Sequence, residues 1–179
     1  MENQRIRLSK TMLKEALLKL MQKEDIRRIT VAELCETAQI NRTTFYKYYE
    51  NTYDLLEETE KDFFDELKKS FDEGNLSEKD MLTGTIAYID RNRDKMKILL
   101  NALSYDSFYD HLMHQSFINT FLDQKILQNY PASETKYIRL FFSRGIYAML
   151  REWISSRNPE SQSEFVALIL SIRKRFERK

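Results

Sequence analysis

Only three glycines and two prolines occur among 179 residues, and this shortage of chain breakers constrains the fold more than any other feature. An all-β domain reverses its chain every few residues and relies on Gly and Pro to do so, and a phosphate-cradling loop needs several glycines close together. Neither can be assembled from this supply, so an all-α fold is expected. The length is ample for burying a core without disulfides or metals. With 42% hydrophobic and 32% charged residues, the chain reads as globular, not disordered. Its single cysteine, Cys35, excludes an internal disulfide framework and a multi-cysteine zinc site, and suits a reducing compartment. No apolar run approaches the roughly 20 residues that cross a bilayer, and the opening Met-Glu-Asn-Gln-Arg lacks the apolar stretch of a signal peptide. A cytoplasmic protein with no membrane partner is expected.

Gly74, Pro131 and Pro159 fall where helical periodicity lapses. Gly84 and Gly145 lie inside apolar-periodic segments, where Gly costs about 1 kcal/mol against Ala, and are read as sites of close helix packing. Caps and periodicity together predict about nine helices. They run from Ser9 to Lys23, Thr30 to Ala38, Asn41 to Tyr48, Asn51 to Asp72, Ser77 to Arg91, Asn92 to Leu103, Ser107 to Tyr130, Ser133 to Arg157 and Glu160 to Arg178. Thr30-Val31-Ala32-Glu33 has the pattern of a capping box.

Between the second and third helices stand only Gln39, Ile40 and Asn41, a connection short enough to force the steep crossing of a helix-turn-helix. On the third helix Phe45 and Tyr49, four residues apart, share the face that must pack on Leu34, Ala38 and the first helix. The opposite face carries Arg42, Thr43, Tyr46 and Lys47. Arg42 and Lys47 suit guanine edges or phosphates, Thr43 offers a hydroxyl and a methyl, and Tyr46 a hydroxyl. Such a helix fits the major groove of double-stranded DNA. Arg5, Arg7 and Lys10 are read either as an arm along the DNA or as a frayed terminus.

Thr30-Val31-Ala32-Glu33-Leu34, then Ala38 through Tyr49, then Asp54-Leu55-Leu56, together resemble the tetracycline-repressor (TetR) family over about residues 9 to 56. The resemblance implies a DNA-binding domain over residues 1–50 and a helical ligand-sensing and dimerisation domain over 51–179. It implies that Thr30 holds a phosphate, that Arg42, Thr43, Thr44, Tyr46 and Lys47 face the groove, and that Tyr48 touches the backbone. Asn51 and Thr52 would offer the amides and dipole of the fourth helix to a further phosphate. The chain departs from the family pattern in two places. Gln39 stands where Gly is usual, so a left-handed turn would cost about 1 kcal/mol or more. Glu50 and Thr52 stand where lysines are common, which predicts fewer phosphate contacts and a gentler salt dependence.

Beyond the motif, the last two long helices carry too much apolar surface for one small subunit. Ile146, Met149, Leu150, Trp153, Phe165, Leu168, Ile169, Ile172 and Phe176 are read as a homodimer interface, with Gly145 and Ala148 allowing close approach. The alternative is an intramolecular core. Tyr88, Met96, Leu99, Leu103, His114, Phe117, Phe121, Phe142 and Tyr147 are candidates to line a pocket for a small apolar or aromatic effector. His111 and His114, with Asp106 and Asp110 nearby, are the nearest approach to a metal site, and without further ligands no metal or cofactor is expected. No nucleophile elbow, zinc-protease pair or phosphate loop is present, so no enzyme is expected.

The function read from these features is a ligand-responsive transcriptional regulator, a repressor, binding a palindromic operator as a homodimer. Control by a protein partner without any effector is one rival, and a helical metalloenzyme built on His111 and His114 the other. The formal net charge of +1 conceals an asymmetry that suits this reading. Residues 1–50 hold ten Lys and Arg against seven Asp and Glu, and residues 51–80 hold four against eleven.

Overall fold

The computed structural model describes residues 4–69, 77–102, 109–110 and 130–176. Among them stand eight α-helices and no strand. In chain order these are α1 (Gln4–Met21), α2 (Val31–Ala38), α3 (Arg42–Phe45), α4 (Thr52–Lys69), α5 (Glu78–Arg91), α6 (Arg93–Ala102), α7 (Ala132–Ser155) and α8 (Gln162–Phe176). One 3₁₀ turn, Ile26–Arg28, precedes α2. The helix expected from Ser107 to Tyr130 lies outside the described residues, apart from Tyr109, Asp110 and Tyr130.

Three helix ends depart from expectation for identifiable reasons. Helix α1 is already formed ahead of Ser9, and the hydroxyls of Ser9 and Thr11 donate back to the carbonyls of Arg5 and Arg7 (3.0 Å each) within the helix, so Ser9 does not act as its cap. Helix α8 begins later than Glu160. Ser161 accepts from the Glu164 amide (3.3 Å), while the Glu164 carboxylate accepts from the Ser161 amide (2.9 Å), a complete capping box. In α3 the regular winding ends at Phe45, short of Tyr48. Tyr46 has ψ −7°, and the amides of Lys47 and Tyr48 bond three residues back, to Thr44 and Phe45, which tightens the last turn into 3₁₀ form.

The chain forms two compact units, one through Phe63 and one from Phe64 onward, so the boundary falls within α4. In the first unit α2 packs on α1 and on α3, around Leu13, Leu17, Leu34, Phe45 and Leu55, all fully buried. The α2–α3 connection is fixed by backbone geometry. Gln39 adopts φ 55° and ψ 37°; its amide bonds to the Glu36 carbonyl, and the Ile40 amide reaches back to Cys35 (2.9 Å). This is a full Schellman closure with a non-glycine residue in the left-handed position.

An ionic junction ties α1 to α4. Lys14 Nζ donates to Glu58 (2.8 Å) and to Asp62 (2.5 Å), and Lys10 Nζ donates to Glu58 (3.3 Å). Lys10 also lies over the ring of Tyr49, next to the end of α3, at 5.8 Å. Burial alone would raise the Glu58 carboxyl, but the bonds from Lys14 and Lys10 hold it below its ordinary value of 4.5. Burial likewise would lower Lys14, and Asp62 and Glu58 outweigh it and raise the ammonium above 10.5.

In the second unit α8 packs on α5, and α6 on α7 and α5. Four helix ends meet at the single tryptophan. Phe165 stacks on Trp153 (4.7 Å, 7°), and the Arg93 guanidinium lies over the Trp153 ring at 4.1 Å. Arg93 also donates to the carbonyls of Trp153 (2.8 Å) and Ile154 (3.2 Å) at the end of α7. The Trp153 indole donates to the Glu160 carbonyl (2.8 Å). Asp90 accepts from Arg93 and from Gln162 (2.7 Å). Gly145 does not serve close packing within the chain: it is exposed, and a Cβ built there meets nothing within 4 Å.

Two stability predictions follow from this geometry. Gln39→Gly removes the left-handed penalty and raises the melting midpoint followed by circular dichroism, by about 2–4 °C for about 1 kcal/mol; a lowered midpoint contradicts the strain at this turn. Glu58→Gln lowers stability by about 1–2 kcal/mol near neutral pH. A carboxyl depressed in the folded state stabilises above its unfolded value and loses that contribution as pH falls through the folded one. Denaturant melts across a pH series therefore find the gap between Glu58→Gln and wild type closing below pH 4.5; a constant gap in acid would show that the charge is irrelevant.

Candidate nucleic-acid interface

The reading head is assembled from a cap, a turn and a buried aromatic pair. Thr30 caps α2 by accepting from the Glu33 amide (3.2 Å), and Asn41 caps α3 by accepting from the Thr43 amide (2.8 Å). Phe45 and Tyr49 are buried, their rings 5.5 Å apart, which turns the other side of α3 outward. Arg42, Thr43, Tyr46 and Lys47 are exposed on that side, with Tyr46 at 59%. Thr44 and Tyr48 are half-buried at its margins. Tyr46 packs edge-on against Phe45 (5.4 Å, 86°), so an exposed ring is steadied by a buried one.

Around this face the other expected residues divide. Asn51 caps α4, accepting from the amides of Tyr53 (2.8 Å) and Asp54 (3.2 Å), so those two helix-start amides are engaged within the chain. Asp54 in turn accepts from the Glu50 amide (2.8 Å). The Thr52 side chain is turned inward and only 6% exposed. Thr30 is exposed. Lys10 is not an arm residue: it is held by Glu58 and sits over the rings of Tyr48 (5.7 Å) and Tyr49 (5.8 Å). Cys35 is buried in the α2 core, and burial pushes its thiol up, away from the reactive thiolate form.

Asp25 and Arg27, singled out by no motif, form a bidentate pair in the turn before Thr30. The Asp25 carboxylate accepts from Arg27 Nε (2.9 Å), Arg27 Nη2 (2.7 Å) and the Arg27 amide (2.9 Å). The hydrogen bonds from Arg27 bring the Asp25 carboxyl down to about 2. An Asp-x-Arg triplet just ahead of a helix cap was the available signal.

In the second unit, Tyr88, Met96, Leu99, Phe142 and Tyr147 of the expected effector pocket are all buried. Leu103, His114, Phe117 and Phe121 lie outside the described residues, as does His111. The Tyr88 hydroxyl donates to Glu66 (2.9 Å); burial and that carboxylate push its ionisation well above the ordinary tyrosine value. Tyr147 packs edge-on against Tyr109 (5.5 Å), whose hydroxyl bonds Ser143 (2.5 Å) and whose ring lies 3.7 Å from the Arg144 guanidinium. A hollow of about 590 Å³ lies elsewhere, between α5 and α8, with Lys79, Val166, Leu170 and Lys174 in its walls. Among the described residues no three His, Cys, Asp or Glu side chains gather as a metal site, and no helix is long and apolar enough to cross a membrane.

The expected dimer residues also divide. Leu150, Trp153, Phe165 and Ile169 are buried within the chain, with Trp153 and Phe165 stacked on one another. Ile146, Met149 and Ile172 are half-buried, Leu168 is 44% exposed, and the Phe176 side chain is outside the described part. Phe141 (65%) and Tyr137 (68%) add large exposed rings on α7.

Comparison with known proteins agrees with this layout. The bacterial regulatory proteins of the tetR family match residues 13–59, and a TetR-class transcriptional regulator C-terminal region matches residues 77–175. The chain is 27% identical to the HTH-type dhaKLM operon transcriptional activator DhaS of Lactococcus lactis subsp. lactis, over 95% of this chain and 93% of that protein. It is 25% identical to the HTH-type transcriptional regulator YxbF of Bacillus subtilis over 92% of its own length, which spans 45% of that relative. Among solved structures, a TetR transcriptional regulator from Streptococcus agalactiae superposes with a TM-score of 0.76 at 22% identity, over 97% of this chain and 96% of the other. The dihydroxyacetone kinase operon activator DhaS superposes at 0.61, also at 22% identity, over 95% and 98%; both superpositions speak for the fold. With matches at both ends, the C-terminal one covering more than half of its length, this chain belongs to the TetR family of transcriptional regulators, helix-turn-helix proteins that bind DNA.

Proposed function

We propose that this protein is a homodimeric regulator that binds a palindromic operator, with α3 of each protomer in the major groove. One observation carries the reading: Arg42, Thr43, Tyr46 and Lys47 are exposed together on the face opposite the buried Phe45 and Tyr49. Thr44 contributes at the edge of that face, and Thr30 and Tyr48 bear on the flanking phosphates. Residues 1–50 are the reading domain and 51–179 the sensing and pairing domain. A two-fold dimer sets its two reading helices about 34–36 Å apart, one turn of DNA.

Leu168, with half-buried Ile146, Met149 and Ile172, forms the centre of the pairing surface, and the small exposed Gly145 and Ala148 admit a close neighbour. Repression follows where the operator overlaps a promoter. Activation is a second reading, favoured by the role of the Lactococcus relative as an operon activator; a promoter–reporter fusion measured with and without the protein gives the sign. The effector is a small apolar or aromatic molecule received near Met96, Leu99, Phe142 and Tyr147, which are buried in the second unit.

In a band-shift titration on DNA recovered by selection from a random library, Tyr46→Ala and Lys47→Ala each cost about 1–3 kcal/mol of specific binding. Both variants still elute as dimers, whereas Leu168→Glu elutes as a monomer. Full specific binding by both reading-face variants would move the interface away from α3. Effector control is checked by thermal-shift screening: a compound that raises the midpoint and weakens the DNA complex supports it. Stabilisation only by a co-purifying protein would favour control by a partner.

A further inference from the structure

We propose that Arg27, oriented by Asp25 in the turn that leads into Thr30, is a DNA-backbone contact of this chain, supplying phosphate-binding charge that Glu50 and Thr52 do not. The inference rests on the proposed DNA-binding function and adds residues to its surface.

The start of α4 is poorly equipped to hold a phosphate. Glu50 is exposed, Asp54 bonds the Glu50 amide, and Thr52 points into the core. A phosphate approaching there meets two carboxylates and no lysine. Arg27 supplies the missing cation from the other side of the head. It lies in the 3₁₀ turn that leads into Thr30. Its side chain is 77% exposed.

The Asp25 pairing favours a binding role over a stabilising one. An exposed ion pair contributes little to folding, yet this one fixes the guanidinium twice, through Nε and Nη2, while the same carboxylate caps the Arg27 amide. A guanidinium has five N–H donors. The two on Nη1 and the second on Nη2 are turned away from Asp25, presented as a planar edge that needs no further ordering to meet phosphate oxygens.

The test is a salt titration of the full-length protein on a selected operator and on a random-sequence duplex. Each lost phosphate contact flattens the plot of log affinity against log salt by about 0.9. Arg27→Ala should therefore weaken both complexes and flatten the slope by about that much per protomer. Between about 50 and 200 mM salt, its loss of affinity is about 3.5-fold smaller per protomer than in wild type. Arg27→Lys keeps the charge and the wild-type slope. An Arg27→Ala protein with unchanged circular dichroism and an unchanged slope overturns the proposal. The random duplex separates this from the groove assignment: loss of salt dependence there stands even if Tyr46→Ala leaves operator recognition intact.

Discussion

One carboxylate holds the DNA-reading half of this molecule in shape. Glu58 on α4 receives Lys10 and Lys14 from α1, and Lys10 also lies over the ring of Tyr49 from the turn after α3. Two helices distant in sequence thus meet at a partly buried anion, and the turn after α3 is tied to them through the Tyr49 ring. Tyr49 in turn packs on Phe45, so the orientation of α3 is set through a chain of contacts that begins at α4. Such a network is costly to break from one side, because an unpaired charge is left behind. The reading face is thus presented by the rest of the head and not by α3, whose four regular residues are too few to be stable alone.

Much of this half was legible in the sequence because its signals are local. Thr30, Asn41 and Asn51 are caps within a few residues of the amides they satisfy, and Gln39 is forced into the left-handed region by the brevity of the connection it closes. The aromatic pair at positions 45 and 49 follows directly from helical spacing. The Glu58 junction was less obvious, although Lys10 and Lys14, like Glu58 and Asp62, are each four apart and so share a helix face. Nothing local says that the two pairs meet, and Lys10 alone reads as a DNA-facing cation. The Asp25–Arg27 pair escaped for a different reason: it lies in a turn between periodic segments, where hydrophobic patterning carries no information.

The second unit was legible as helices but less so as a site. Apolar residues on α7 and α8 satisfy the same spacing whether they face the chain's own core or a second chain. Trp153 and Phe165 looked like interface residues because they are large and periodic, yet they stack on each other. The exposed rings of Tyr137 and Phe141, which belong to the same helix, were not distinguishable from them by pattern. Burial within a chain is decided by where partner helices cross, a long-range property that a helical period does not encode.

The Trp153 junction has a spectroscopic consequence. The only indole of the protein lies between an aromatic ring and a guanidinium, with its N–H bonded to a backbone carbonyl. Those contacts come from α5–α6 through Arg93, from α8 through Phe165, and from the α7–α8 connection through Glu160. Any rearrangement that shifts one of these helix ends alters the polarity or quenching around that indole. The molecule thus carries a built-in optical gauge of its second unit, requiring no label and reporting from a single known position.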